Sequence, residues 1–183
     1  MSRPSPESVS QHLWRTPVRE DTSHLYVILD AARDERIYPE LCKADVVSCC
    51  LYRGELAQEL AEVAPYLVAL ERSEAFTDWL LQVGWGESWG IFLAASATLN
   101  TLRRHFRRFL MVYDPEGKPL YFRYYDPRVW RVYLPTCQVA ELGTVFGPVQ
   151  RYCVEGEDGQ TLLEYMYTDG QLVHHTVSLA RHA

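Results

Sequence analysis

The run Leu25-Tyr26-Val27-Ile28-Leu29 constrains this chain more than any other feature. Five consecutive apolar residues leave a strand no polar face, so both of its faces have to be covered. Asp30 follows at once and sets a carboxylate at the end of that buried strand. Covering both faces takes a sheet with further layers on either side. The 183 residues supply enough chain, since a chain of this size buries roughly 70% of the surface it exposes when unfolded.

The segments that follow alternate in period. A helical patch is expected over Arg36 to Ala44, and a second strand over Val46 to Tyr52, closed by Gly54. Glu55 to Val63 has helical propensity until Pro65 stops it. Phe76, Trp79, Leu80 and Val83 fall on one helix face, with Ser73 as N-cap and Gly84 as the stop. Trp89 to Ala94 reads as an apolar strand. A helix from Thr98 to Arg108 buries Leu99, Leu102 and Phe106. Phe109 to Tyr113 and Leu120 to Tyr125 form a hairpin around Asp114-Pro115-Glu116-Gly117.

Val129 to Leu134 and Gln138 to Phe146 read as two short helices. Val149 to Val154, Leu162 to Tyr167 and Leu172 to Leu179 read as strands, joined by turns that carry Asp158-Gly159 and Asp169-Gly170. The expected class is α/β (α+β). A mixed sheet flanked by helices forms an N-terminal lobe over residues 23–128. A smaller C-terminal lobe of short helices and an antiparallel meander spans 129–183. Residues 1–22, with Pro4, Pro6 and Pro17, read as a polar leader without the apolar core of a secretory signal.

Charge and cysteine usage narrow the function classes. Eighteen basic against 24 acidic side chains give a net charge of -6, which weighs against non-specific nucleic-acid binding. Cys42, Cys49, Cys50, Cys137 and Cys153 are odd in number and irregular in spacing. They read as thiols in a reducing cytoplasm rather than as a disulfide framework or zinc site. The longest uncharged stretch, Ser88 to Leu102, is too short and too polar to span a membrane. His174 and His175 point to opposite faces of a strand and cannot share a metal. No phosphate-cradling loop occurs. Neither metal nor cofactor is expected.

Three motifs carry chemistry. Gly86-Glu87-Ser88-Trp89-Gly90 matches the G-x-S-x-G nucleophile elbow, and Asp114 or Asp126 and then His174 or His175 follow in Ser…Asp…His order. The elbow needs a strand before the serine and a helix after it. Here a helix precedes and a strand follows, so the motif reads as a helix-to-strand loop. An α/β serine hydrolase using Ser88 is the alternative function. The second motif, Arg103-Arg104-His105-Phe106-Arg107-Arg108, makes a four-arginine strip opposite the apolar helix face, with Arg104 and Arg108 farthest from it. Four arginines and no lysine suit recognition of carboxylates or phosphates. The excess of aromatics (12 Tyr and 5 Trp) adds Trp85 and Tyr124 as candidate partner contacts. In the third motif, Tyr121 to Arg128, strand alternation puts Tyr121, Arg123 and Tyr125 on one face. Asp126 caps the helix that Pro127 opens, and Arg128 pairs with Asp126 or Asp30. A buried Arg123 requires a carboxylate.

Taken in order, Leu25 to Asp30, Ala64 to Val68, Trp79 to Leu81, Gly84 to Gly86, Trp89 to Phe92, Leu102 to Leu110, Gly117, Phe122 to Val129 and Phe146 to Val149 resemble the family of type VI secretion effector adaptors, or effector chaperones. The Phe122-Arg123-Tyr124-Tyr125-Asp126-Pro127-Arg128-Val129 run is the most specific piece. The resemblance implies a non-catalytic cytoplasmic loading factor. Its partners are a cognate secreted effector and the C-terminal region of the VgrG spike protein. Arg123, Asp126, Pro127 and Arg128 carry over as family-typical positions without catalytic roles.

Overall fold

The computed structural model describes residues 3–15 and 23–179. Seven helices are α1 (Pro6–Leu13), α2 (Ile37–Lys43), α3 (Gln58–Ala61), α4 (Ala75–Trp79), α5 (Leu99–Phe106), α6 (Pro127–Tyr133) and α7 (Val139–Phe146). The strands are β1 (His24–Asp30), β2 (Ser48–Cys50), β3 (Pro65–Leu70), β4 (Gly90–Ala95), β5 (Met111–Tyr113), β6 (Pro119–Tyr121), β7 (Arg151–Glu155), β8 (Thr161–Thr168) and β9 (Gln171–Ser178). Seven of them form one sheet in the order β2-β3-β1-β4-β7-β8-β9, while β5 and β6 pair apart from it. The protein is α+β.

The period of two along β1 builds the two halves of the core. Leu25, Val27 and Leu29 face one side, with Val9 and Leu13 of α1, Ile37 and Leu41 of α2, and Phe76 of α4. Tyr26 and Ile28 face the other, with Leu102 and Phe106 of α5, Trp130 of α6, and Leu142 and Phe146 of α7. The side-chain-free Gly90 lets β4 close on β1, because a Cβ there would overlap the Ile28 carbonyl. The strand–helix alternation produces no parallel β-α-β units. β1 pairs antiparallel with both β3 and β4, and every other pairing is antiparallel too.

The C-terminal meander joins this sheet edge-on, with Phe92, Leu93 and Ala94 of β4 opposite Cys153, Tyr152 and Arg151 of β7. α6 and α7 pack into the same half-core as α5. The last hairpin turns on Asp169 and Gly170, both at positive φ, as a two-residue β-turn between paired Thr168 and Gln171 requires.

Three expectations change. β3 begins at Pro65, which stops no more than the preceding helix. As the first residue of the strand Pro65 gives up no needed donor, and its carbonyl accepts from Leu51 N at 2.9 Å. The expected strand beyond Tyr121 is instead a turn over residues 122–126, so its two-face alternation does not apply. The leader holds a real helix, α1: Ser5 Oγ caps it through Ser8 N at 3.2 Å, and Val9 and Leu13 are buried. Residues 1–2 and 16–22 lie outside the described residues. No helix among those described is long and apolar enough to cross a membrane.

What fastens α1 is a buried charge. Arg151 on β7 donates to the carbonyls of His12 and Leu13 and pairs with Glu164 on β8 at 2.7 Å, both side chains being buried. Glu164→Ala leaves that guanidinium uncompensated, and we expect a loss of about 3–5 kcal/mol in denaturant unfolding. A loss under about 1 kcal/mol would mean the pair is not what holds α1 to the sheet.

Candidate functional site

Polar groups concentrate where β1 ends. Asp30 is fully buried there; its N–H donates to Trp89 O at 2.8 Å and its Oδ1 accepts from Ala32 N at 3.2 Å. Its Oδ2 takes the Arg123 guanidinium from the turn that follows β6. Two residues past Tyr124, Asp126 caps α6: Oδ1 accepts from Arg128 N at 2.9 Å, and the Arg128 guanidinium grips both carboxylate oxygens, the shortest contact being 2.6 Å. Both carboxylates are buried, whereas the Arg123 and Arg128 side chains are 48% and 54% exposed. Arg33 lies close enough for its charge to act on Asp126, and it donates to Glu87 O at 3.3 Å. Tyr125, in the same turn, lies close enough to Tyr52 for the two phenols to act on each other, and burial pushes both above their ordinary range. The structure thus brings Asp30, Arg123, Asp126, Pro127 and Arg128 together, and assigns Arg128 to Asp126 and Arg123 to Asp30.

The G-x-S-x-G loop is held by a residue no motif flagged. Glu155, at the buried end of β7, accepts from Gly86 N and Ser88 N, each at 2.6 Å, and from Ser88 Oγ at 3.1 Å. Burial pushes the Glu155 carboxyl up, against the pull of these donors. Gly86 and Ser88 both take positive φ to turn their N–H groups onto one carboxylate. The loop runs from helical turn to strand, as the sequence predicts. Asp126 is engaged by Arg128, Asp114 caps the β5–β6 turn through Glu116 N and Lys118 N, and His174 stacks on Tyr165. Among the described residues no group of three His, Cys, Asp or Glu side chains is placed to hold a metal.

The arginine strip divides by role. Arg107 reaches back to the carbonyls of Cys50, Leu51 and Tyr52, so it is a structural staple between α5 and the chain after β2. Arg104 and Arg108 are exposed, as their distance from the apolar face predicts. Arg103 is half-buried, and its Nε has no partner. None of the four pairs with a carboxylate among the described residues. His105, between them, is buried; its Nε2 donates to Val145 O at 2.9 Å and its Nδ1 accepts from Arg108 at 2.9 Å. Burial pushes its pKa down, which keeps the ring neutral and able to play both parts.

Trp85 and Tyr124 are corrections. Trp85 is buried and donates Nε1–H to Gly159 O at 2.8 Å. Tyr124 is buried against Phe106, Phe109 and Phe122, with its hydroxyl on Phe106 O at 3.1 Å. Neither offers surface to a partner. What sequence reasoning passed over is the β5–β6 hairpin as a surface: Met111, Val112, Tyr113, Leu120 and Tyr121 are all exposed. The Asp114-Pro115-Glu116-Gly117 turn that marks it as a hairpin gives no sign that nothing covers it.

Asp126 sets the pH response of this joint. Burial raises its pKa, but the hydrogen bonds and charge of Arg128 outweigh that and hold it below the ordinary carboxylate range. A depressed folded-state pKa contributes stability above the unfolded value, lost as pH falls through the folded one. Asp126→Asn keeps an oxygen for the cap and drops the charge. We expect it to lose about 1–3 kcal/mol at neutral pH, with the gap to wild type closing in acid. An equal gap at both pH values, read from denaturant unfolding, would contradict the ion-pair assignment.

No curated protein and no solved structure is found to match the chain. The sequence profile of one family, described as domain of unknown function DUF4123, matches residues 25–144, from the start of the buried strand β1 into α7. That span is well over half of the sequence and holds Asp30, the G-x-S-x-G loop, the arginine strip and the Asp-Pro-Arg turn, so the chain belongs to the DUF4123 family.

Proposed function

We propose that this protein is a non-catalytic cytoplasmic adaptor that binds a type VI secretion effector and loads it onto the tip of the VgrG spike. The observation that carries the reading is the split between spent and unspent polar groups. Ser88 and Glu155 satisfy each other and the backbone, and Asp30 and Asp126 are satisfied by the backbone and by Arg123 and Arg128. Arg104 and Arg108 are exposed on a protein of net charge -6, and although Arg108 also supports His105, neither has a carboxylate partner among the described residues. A solvated arginine face suits a partner that must be held and later released, since it binds without the broad apolar surface that would make the free adaptor aggregate.

The test is co-expression with VgrG spike and candidate effector proteins of the same genome, followed by co-purification at low and moderate salt. The reading requires a complex with at least one of them. Ester hydrolysis by the pure protein, abolished by Ser88→Ala, would overturn it in favour of the hydrolase. Arg104→Glu with Arg108→Glu is expected to weaken partner binding about tenfold at low salt, mainly through slower association, with a smaller deficit at moderate salt. Arg104→Glu alone is the clean folding control, since Arg104 makes no hydrogen bond among the described residues, whereas Arg108 supports His105. Unchanged affinity in a folded double variant would make the strip an ordinary solvated helix face.

A further inference from the structure

The β5–β6 hairpin is the least explained surface of the fold. A two-stranded hairpin is marginal by itself in water, yet this one stands outside the main sheet. All six of its strand residues are exposed, Tyr113 and Tyr121 to 70% and 71%. Its tie to the body includes Tyr121 against Tyr52, ring centroids 5.8 Å apart. Apolar side chains and unpaired backbone at the same place mark a template for another strand.

The hydrogen-bond pattern says which edge is open. Asp114 N donates to Lys118 O and Phe122 N to Leu110 O. Antiparallel pairs alternate, so within the register Met111↔Tyr121, Val112↔Leu120, Tyr113↔Pro119 it is Val112 and Leu120 that bond across. Met111 and Tyr113 then turn their N–H and C=O groups outward from β5. On β6 the outward pair is Pro119 and Tyr121, and Pro119 has no N–H to give. The β5 edge is therefore the complete one.

The surroundings of the hairpin are cationic. Arg107 and Arg108 lie on the few residues leading from α5 into β5. Arg53 adjoins Tyr52, the residue Tyr121 rests on, and the charges of Arg103 and Arg53 both act on Arg107. Arg53, Arg103, Arg104, Arg107 and Arg108 have no carboxylate partner among the described residues, and Arg103 Nε is buried without a hydrogen bond. Five uncompensated guanidinium groups in an acidic chain are electrostatically incomplete.

We propose that the outer edge of β5 is a docking site for an extended acidic segment of a partner protein, which adds to the hairpin as a third strand while its carboxylates meet Arg53, Arg104 and Arg108. Backbone pairing supplies affinity that tolerates sequence, and alternate side chains supply the charge match. The site deepens the adaptor reading, and rests on it only for the identity of the protein that brings the segment.

The probe is a synthetic eight-residue peptide of alternating Glu and Thr or Val, titrated against the full chain by fluorescence anisotropy at low and moderate salt. Its comparisons are the same peptide with Lys for Glu, and one with alternate backbone amides N-methylated. The acidic peptide is expected to bind at least about tenfold more tightly than either, and to protect the Met111 and Tyr113 amides from hydrogen exchange. Tyr113→Pro deletes an outward donor without touching the Val112–Leu120 pair, and should abolish binding, while Tyr113→Ser keeps it. Arg53→Glu should weaken the acidic peptide and strengthen the basic one. Equal binding of all three peptides, unchanged binding to a folded Tyr113→Pro chain, or preference for a single-stranded oligonucleotide would each overturn the site. If the acidic peptide binds as described but no spike or effector protein co-purifies, the docking site stands and the adaptor reading falls.

Discussion

Asp30 is a charge at the buried end of β1, a strand in the middle of the main sheet, and the rest of the joint is arranged around keeping it there. A carboxylate removed from water needs donors or a cation. It receives the Ala32 N–H and the Arg123 guanidinium, and its own N–H fixes the Trp89 carbonyl at the mouth of β4. Arg123 reaches Asp30 only if the chain leaves β6 and turns. That turn puts Tyr124 into the aromatic cluster, Tyr125 onto Tyr52 and Asp126 at the head of α6. One buried charge therefore specifies where the hairpin returns to the body and where the last third of the chain begins. The heads of both arginines stay partly in water, which limits the desolvation cost on the cationic side.

The same device recurs at three other joints. Glu155 gathers the N–H groups of the loop between α4 and β4, Arg151 with Glu164 anchors the end of α1, and Arg107 collects three carbonyls after β2. In each case a charged side chain satisfies backbone groups of a loop or a helix end, which would otherwise be buried without partners. Short helices and loops that carry little apolar surface are held this way instead of by packing. It also accounts for the serine-hydrolase-like motif: two glycines around Ser88 let the loop present its amides to one carboxylate, a requirement of loop closure as much as of an oxyanion site.

Much of this was legible in the sequence, for identifiable reasons. The unbroken apolar run points to β1, the helical period of Leu99, Leu102 and Phe106 to α5, the two Asp-Gly turns to the final meander, and the Asp-Pro-Arg spacing to the Asp126 cap. The sequence sets Asp30 at the end of the buried strand and says that Arg123 needs a carboxylate if buried, but it does not pair the two. Long-range partners stayed hidden: nothing near Glu155 in the chain points to Gly86 and Ser88, about seventy positions away. Pro65 concealed β3 because proline ends helices and opens strands with the same lack of an N–H. α1 was hidden because its only apolar turn, Val9 and Leu13, is too short to show a period. Trp85 and Tyr124 were misplaced because aromatic residues serve cores and interfaces alike, and composition does not separate the two.

The division of the arginine strip carries the argument from fold to surface. Arg107 lost its freedom to three carbonyls and Arg108 is half committed to His105, whose neutral ring needs that donor. A helix with only these two would be adequately explained by packing. Arg103 and Arg104 have no such task, and stability gives no reason to hold like charges together on one short helix, where repulsion between them opposes folding. The charge is concentrated on the helix and turn that lead into a pair of strands outside the main sheet, and neither feature improves the isolated chain: the cations repel one another, and the hairpin exposes apolar side chains with an open edge. Each deficit is relieved by the same kind of partner, one that brings carboxylates and backbone in extended form. That coincidence is what distinguishes a surface kept for binding from one that is merely solvated.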